Sequence, residues 1–318
     1  MKNILKIIKK SKRVGIIAHI SPDPDCMSSM TALSCLLESM GKQTHMFVDC
    51  NKFRDNMSYY NLPDNINEDL NLDDFDTLIA VDLPQLSLMG KYGEAFTKHN
   101  NTIVIDHHES RNLEAKEIFV DSSRSSCSEI IFDLAKQLNL EITPRIASII
   151  YAGILGDTNC FENDNINEQT FLTASGCVAC GADIQNVTFI FQKHQTLAEL
   201  KLKEYGYKNM VMKNKIAYCI FTKKMFKHSG VDDCPTFVNE ILNTEDNVFA
   251  YVIKQKDKNT YTVSFRCKNG YNVANIAKKF GGGGHVQASG TMFVGSPTKY
   301  AKLIYDECLK QLEGNNVW

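Results

Sequence analysis

The 318-residue chain reads as α/β: a mainly parallel sheet covered by helices, then a helical connector, then a smaller α/β domain. Three observations predict this. Short apolar runs alternate with helix-length stretches through the first half, consecutive helix-like segments replace them beyond Asp157, and a second alternation begins near residue 215. The expected boundaries are 1–190, 191–214 and 215–318.

"RVGIIA" at 13–18 is a short buried strand, and the run after Asp25, "CMSSMTALSCLLESM", has helix length and closes at Gly41. Further strands are legible at 44–49, 76–81, 101–105 and 117–120, with helices near 126–138 and 144–155. "NINEQTFLTASGCVACGADIQNVTFIFQ" and "TLAELKLKEYGYKNMVM" then read as helices separated by polar breaks. In the last third come strands "IAYCIF", "NVFAYVIK" and "YTVSFRC", helix "NVANIAKKF", the run "GGGGH", strand "GTMFV" and a closing helix. At the start, Met1–Gly15 carries six Lys/Arg, and Ile4, Leu5, Ile7 and Ile8 predict a helix packed on its own domain.

A formal net charge of −2 and a pI near 6.5 give no global electrostatic preference, which argues against a large nucleic-acid surface but leaves room for a local basic groove. No apolar stretch near the start is long enough for a signal peptide or membrane span, so the expectation is a soluble, cytoplasmic protein without a membrane partner. Eleven scattered cysteines, an odd number, fit reduced thiols, and Cys177–Cys180 ("CVAC") reads as buried small apolar residues because no second CxxC completes a tetrad. Residues 62–76 hold six acids and no base, a solvated face. Residues 254–285 hold seven Lys/Arg against Asp257 alone, which makes the last domain the better anion holder.

Acids and histidines gather after the strands: His19, Asp23 and Asp25 after "RVGIIA", Asp82 after "LIAV", Asp106, His107 and His108 after "TIVI", and Asp157 after "IIYAGILG". A parallel sheet brings strand carboxyl ends to one edge, where such folds place ligands. Crowded carboxylates raise one another's pKa unless a cation cancels their charge. Mostly carboxylate oxygen with some imidazole, and no cysteine at these positions, suits Mn²⁺ better than structural Zn²⁺, with Mg²⁺, Fe²⁺ and Co²⁺ as competitors. The groups suffice for two ions about 3.5–4 Å apart sharing a carboxylate, the equipment of phosphoester hydrolysis. Singly, each has a blander reading; Asp25, for example, could be only a helix N-cap. The joint pattern HxxxDxD, VD, DHH and GxxGD carries the functional reading.

These residues resemble the DHH phosphoesterases. His19-Ile-Ser-Pro-Asp23-Pro-Asp25 is similar to the family's first motif, Val81-Asp82 to its second, Asp106-His107-His108 to the one that names it, and Gly153-Ile-Leu-Gly-Asp157 to its fourth. "FGGGGHVQASG" (280–290), preceded by "VSFRCKNGYNVANIAKK", resembles the associated DHHA1 domain, so the likeness covers nearly the whole chain. Size and layout look most like the branch that degrades very short RNA and dephosphorylates 3′-phosphoadenosine 5′-phosphate (pAp). The resemblance implies two divalent metal ions: His19, Asp23 and Asp82 on one, and Asp25, Asp82, His107 and Asp157 on the other. It further implies Asp106 behind His107, His108 toward the scissile phosphate, and a homodimer. Pro24 departs from the small residue usual between the two acids, a change that could shift metal preference.

For the last domain, Gly282, Gly283 and Gly284 would let backbone amides approach a phosphate or base, with His285 as a further donor; a flexible hinge is the competing reading. Arg266 would bind a terminal phosphate bidentately, or be an edge-strand arginine. Arg124 lies in "DSSRSSCSE", a segment that reads as the cap of a helix beginning near Ser126. The function these features imply is metal-dependent hydrolysis of short oligoribonucleotides, dinucleotides and pAp. Hydrolysis of linear or cyclic dinucleotides in signalling is the alternative, and a non-catalytic nucleotide-binding module the reading from another class.

Overall fold

The computed structural model describes the chain except residues 51–54, 64–65, 67–69, 109–111, 232, 235, 285 and 316–318, and except the side chains of 55–57 and 315. It divides into two compact units, Met1–His194 and Gln195–Trp318.

The first unit runs α1 (Lys2–Lys10), β1 (Arg13–Ile17), α2 (Pro24–Ser39), β2 (Gln43–Phe47), β3 (Thr77–Val81), α3 (Gly93–Lys98), β4 (Thr102–Asp106), β5 (Glu117–Val120), α4 (Cys127–Gln137), α5 (Pro144–Asp157), α6 (Glu168–Ala179) and α7 (Ile184–Thr188). Its described strands form a wholly parallel sheet in the order β2-β1-β3-β4-β5. β3 and β4 are buried along their whole length, which is why they read as continuous apolar runs and not as alternations. Val14, Ile16, Ile79, Val81, Ile103 and Ile105 face one core, with Met30, Leu33, Ile131 and Ile150 of the covering helices. Ile17, Leu78, Ala80 and Val104 face the other, with Phe75, Met89 and Phe96. Ile4 and Ile8 of α1 are buried in the first core, leaving its lysines outward.

The second unit runs α8 (Leu197–Asn209), β6 (Val211–Lys213), β7 (Ile216–Phe221), α9 (Lys223–Ser229), α10 (Phe237–Leu242), β8 (Phe249–Gln255), β9 (Thr260–Cys267), α11 (Val273–Lys279), β10 (Gly283–Gly284), β11 (Ala288–Val294) and α12 (Pro297–Asn315). The sheet order is β10-β11-β9-β8-β7-β6, antiparallel except for the β7–β8 pair. A parallel pair needs a crossover, and α9 with α10 provides it. Both are too short to leave a helical period in the sequence, and the reading above has neither. Tyr251, Val263 and Phe265 face α11 and α12, while Ala217, Phe221 and Val252 face Leu202 of α8 and Phe237 and Ile241 of α10. No helix among the described residues is long and apolar enough to cross a membrane.

Candidate active site

β1, β3 and β4 are neighbours in a parallel sheet, so the segments after them leave from one edge. After β1 the chain reaches Asp23, extended as a residue before proline prefers, and Pro24 takes the first helical position of α2. Asp23 is the N-cap, its Oδ1 accepting from the Cys26 amide at 3.0 Å. Asp25 is therefore free of capping and points inward, wholly buried. Its carboxylate accepts from the Cys127 amide at 2.6 Å and the Ser128 amide at 3.0 Å, the first two helical amides of α4. A helix N-terminus is a natural anion holder, and here the anion belongs to the protein.

Asp82 follows β3 in the left-handed region (φ 52°), which aspartate tolerates better than most residues. Asp157 ends α5. That helix lies so close to α4 and α2 that a Cβ on Gly153 would stand 2.0 Å from Ser128 Oγ and 2.8 Å from Asp25 Oδ1, and one on Gly156 2.7 Å from Pro24. The two glycines of GxxGD are thus what lets Asp157 reach the cluster.

Everything meets at His107. Its Nε2 is 3.0 Å from Asp157 Oδ2, 3.4 Å from Asp82 Oδ1 and 4.0 Å from Asp25 Oδ2. Its Nδ1 lies 3.2 Å from the Arg124 carbonyl, an acceptor that fixes the ring. Asp106 has a different task from the one the resemblance implies. Its Oδ1 accepts from the backbone amides of His107 and His108 and lies 2.8 Å from His108 Nδ1, so it orients His108, while Arg124 orients His107. His19 Nε2 is 4.0 Å from Asp23 Oδ2.

The electrostatics follow from burial. Burial, opposed by His107, raises the Asp25 carboxyl; burial and then the Asp25 charge push Asp82 well above the ordinary range and Asp157 to about 7. Burial disfavours a charged His107, but Asp157 and Asp82 override it and push the ring to about 12. At the outer histidine, burial again opposes charge, yet Asp106 and Asp82 raise His108, and burial of Asp106 is more than offset by His108, which lowers it. The cluster calls for positive charge. Asp82 Oδ1 and His107 Nε2 are buried without a hydrogen-bond partner, and among the described residues three groups bring ligand atoms within 4.8 Å of one another: His19, Cys26 and Asp82; Asp82, His107 and His108; Asp25, His107 and Asp157. Asp82 and His107 each belong to two of them. Carboxylate and imidazole donors with unsatisfied atoms fit divalent cations.

Some supporting residues leave no trace in a motif. The Arg124 carbonyl is one. The Arg124 guanidinium pairs with Asp121, Glu129 and Asp133, and Asn165 Nδ2 donates to the carbonyls of Ser125 at 3.2 Å and Asp157 at 3.4 Å. Only the Ser126 cap of α4, three residues before Glu129, was readable beforehand.

With this geometry in place, comparison with known proteins is decisive for descent. Residues 13–154 match the DHH family, N-terminal domain, and residues 218–308 match the DHHA1 domain. The chain belongs to the DHH/DHHA1 family. It is similar to the bifunctional oligoribonuclease and PAP phosphatase NrnA of Mycoplasma genitalium, 29% identical with 98% of this chain and 97% of the relative covered. It also resembles the protein of the same name from Thermus thermophilus, 26% identical over 89% and 84%. An exopolyphosphatase-related protein from Bacteroides fragilis shares the fold, with a TM-score of 0.88 and 22% identity over 98% of this chain and 95% of that one.

In the DHHA1 region Arg266 sits on the less buried face of β9, opposite Ala250 on β8 and Ala288 on β11. Two alanines leave room above it. Its guanidinium donates to the Phe265 carbonyl at 2.9 Å, and among the described residues no carboxylate pairs with it. The glycine run is part of a hairpin: Gly283 and Gly284 pair with Gly290 and Ser289. A Cβ on Gly282 would stand 2.1 Å from the Gly290 carbonyl, whereas Gly283 has open space. His285 lies outside the described residues.

Proposed function

We propose that the chain is a metal-dependent phosphoesterase that hydrolyses short oligoribonucleotides and dinucleotides and removes a phosphate from pAp. The observation that carries this reading is the convergence of Asp25, Asp82 and Asp157 on His107 Nε2, with buried oxygen and nitrogen atoms left unsatisfied. The names of the similar proteins supply the substrate class. His19, Asp23 and Asp82 would hold one divalent ion, and Asp25, Asp82, His107 and Asp157 a second, with Mn²⁺ the best match to these carboxylate and imidazole donors taken by themselves. When bound, such ions activate water and neutralise charge on the phosphoryl group.

The chain's own residues do the rest. The α4 amides aim Asp25 and partly offset the cost of burying its charge, and the Arg124 carbonyl holds His107 in the tautomer whose Nε2 faces the carboxylates. His108, about a third exposed, is the group available to a phosphate. Asp106 orients it and favours its charged form, in which it can stabilise charge or give a proton to the leaving oxygen. We assign catalysis to residues 1–190 and substrate grip to 215–318, joined by 191–214, with Arg266 taking the terminal phosphate and the glycine hairpin a neighbouring part of the nucleotide.

The test is direct. Purified protein with Mn²⁺ should convert labelled di- to pentaribonucleotides to mononucleotides and release phosphate from pAp, and chelator should stop both. Rates on pApA, cyclic di-AMP, pyrophosphate and long single-stranded DNA rank the alternatives. Absence of turnover on every short RNA and on pAp would sink the assignment.

A further inference from the structure

Cys26 is the chain's unassigned group at the site. It lies in the first turn of α2, wholly buried, with its amide on Asp23 Oδ1 at 3.0 Å. Its sulfur is 3.9 Å from the Val81 carbonyl, the residue before Asp82. That sulfur, an imidazole nitrogen of His19 and a carboxylate oxygen of Asp82 lie within 4.8 Å of one another. A buried cysteine by itself is ordinary core, and Cys26 does touch the first core. The second observation concerns its neighbour. Asp82 is 2% exposed, and its Oδ1 has no hydrogen-bond partner, so the carboxylate that joins the sulfur in this group is buried with its hydrogen bonding incomplete.

We infer that Cys26 is a sulfur ligand of the ion held by His19 and Asp82, and that it biases this position toward Zn²⁺ over Mn²⁺. The inference rests on the metal-dependent reading above and adds to it. A nitrogen, carboxylate and thiolate set is softer than the nitrogen and oxygen set of Asp25, His107 and Asp157, and thiolate selects Zn²⁺ where carboxylate and water suit Mn²⁺. The two positions of the site would then differ in preference, sharing Asp82. Binding breaks the Cys26 S–H bond and forms a sulfur–metal bond, and the proton leaves to solvent; no oxidation or reduction is involved.

The experiment uses Co²⁺ as the probe. The full chain and its Cys26→Ser and Cys26→Ala variants are loaded with up to two equivalents, bound metal is counted, and absorption is recorded. The expected result is a near-ultraviolet sulfur-to-cobalt charge-transfer band in the native protein that is missing from both variants, although they still bind Co²⁺ and melt cooperatively. Competition should agree, the preference for Zn²⁺ over Mn²⁺ falling about tenfold or more in the variants. Stoichiometric Co²⁺ binding without the band, or an equal band in the variants, overturns the assignment of Cys26 and leaves the metal reading intact. Failure of the native protein to bind Co²⁺ overturns both. Should Cys26→Ser fail to fold, Cys26→Ala, which keeps the small apolar volume, carries the comparison.

Discussion

In the parallel sheet three carboxylates stand within 4 Å of a single imidazole nitrogen, whereas several lysines of the second unit each meet a carboxylate. There buried Lys203 meets Glu240 at 2.5 Å, Lys254 meets Asp233 at 2.7 Å, and Glu307 takes Lys279 and Lys310 at the surface. The contrast separates charge arranged for folding from charge arranged for a ligand. Pairing in the second unit satisfies itself; crowding in the first leaves Asp82 Oδ1 and His107 Nε2 unmet and demands a cation from outside.

The sharpest way to break this contrast is to remove its shared member. Asp82→Ala should lower hydrolysis of a diribonucleotide by more than about 100-fold, beyond the 10–100-fold typical of residues that only support a metal ligand. Bound Mn²⁺ should fall with it. Retained metal and turnover would mean that the crowding is structural.

Next in size is the pH dependence of metal-free protein. Asp157 has an ordinary value of 3.8 and a folded value of about 7, so the folded state keeps a proton that the unfolded state releases between them. Stability then falls as pH rises through that window. Asp25 and Asp82 are also raised and act in the same direction. His107, raised from 6.5 to about 12, adds stability that is complete below its unfolded value and is lost as pH climbs past it. Thermal melts of chelated protein from acid to neutral pH should show this decline, and Asp157→Asn should flatten it. A profile that rises instead would contradict the crowded-carboxylate account.

How much of this was legible in the sequence depends on where the information sits. The buried strands and the acids and histidines after them were readable, because apolar runs and chemically distinctive side chains are local signals. The parallel edge that gathers them follows from strand and helix alternation. Backbone groups carry no residue signature, so the Arg124 carbonyl on His107 and the α4 amides on Asp25 were invisible. That the Asp106 carboxylate meets the His108 ring and not the His107 ring was equally hidden, because two adjacent imidazoles whose centroids lie 4.7 Å apart are alike in sequence. α9 and α10, at seven and six residues, are shorter than a helical period needs to announce itself.

Glycines test the same contrast through packing. Gly153→Val should destabilise the first unit by about 1–3 kcal/mol, the usual range for overfilling a packed interior, and should weaken metal binding because Asp25 must move. In the second unit Gly282→Ala should destabilise, since the Gly290 carbonyl occupies the new Cβ position, whereas Gly283→Ala should leave stability within about 0.5 kcal/mol. Chemical denaturation measures all three. Because Gly283 has room for a side chain, any rise in KM for short RNA in Gly283→Ala would report contact with substrate and not damage to the hairpin.

The smallest effect belongs to the surface. The Lys279 and Lys310 ammonium groups hold the Glu307 carboxyl below its ordinary range, so its contribution has the opposite sign to that of Asp157: it is present above the unfolded value and lost as pH falls through the folded one. Solvent screens such pairs, and Glu307→Gln should change stability by no more than about 0.5 kcal/mol, less in high salt. Melting Glu307→Gln beside Asp157→Asn in chelator sets the two slopes against each other. The surface variant should leave the decline from acid to neutral pH untouched, while the buried one removes part of it. If both variants shifted the curve equally, pairing and crowding would be the same kind of charge, and the case for a cation site in the first unit would lose its electrostatic support.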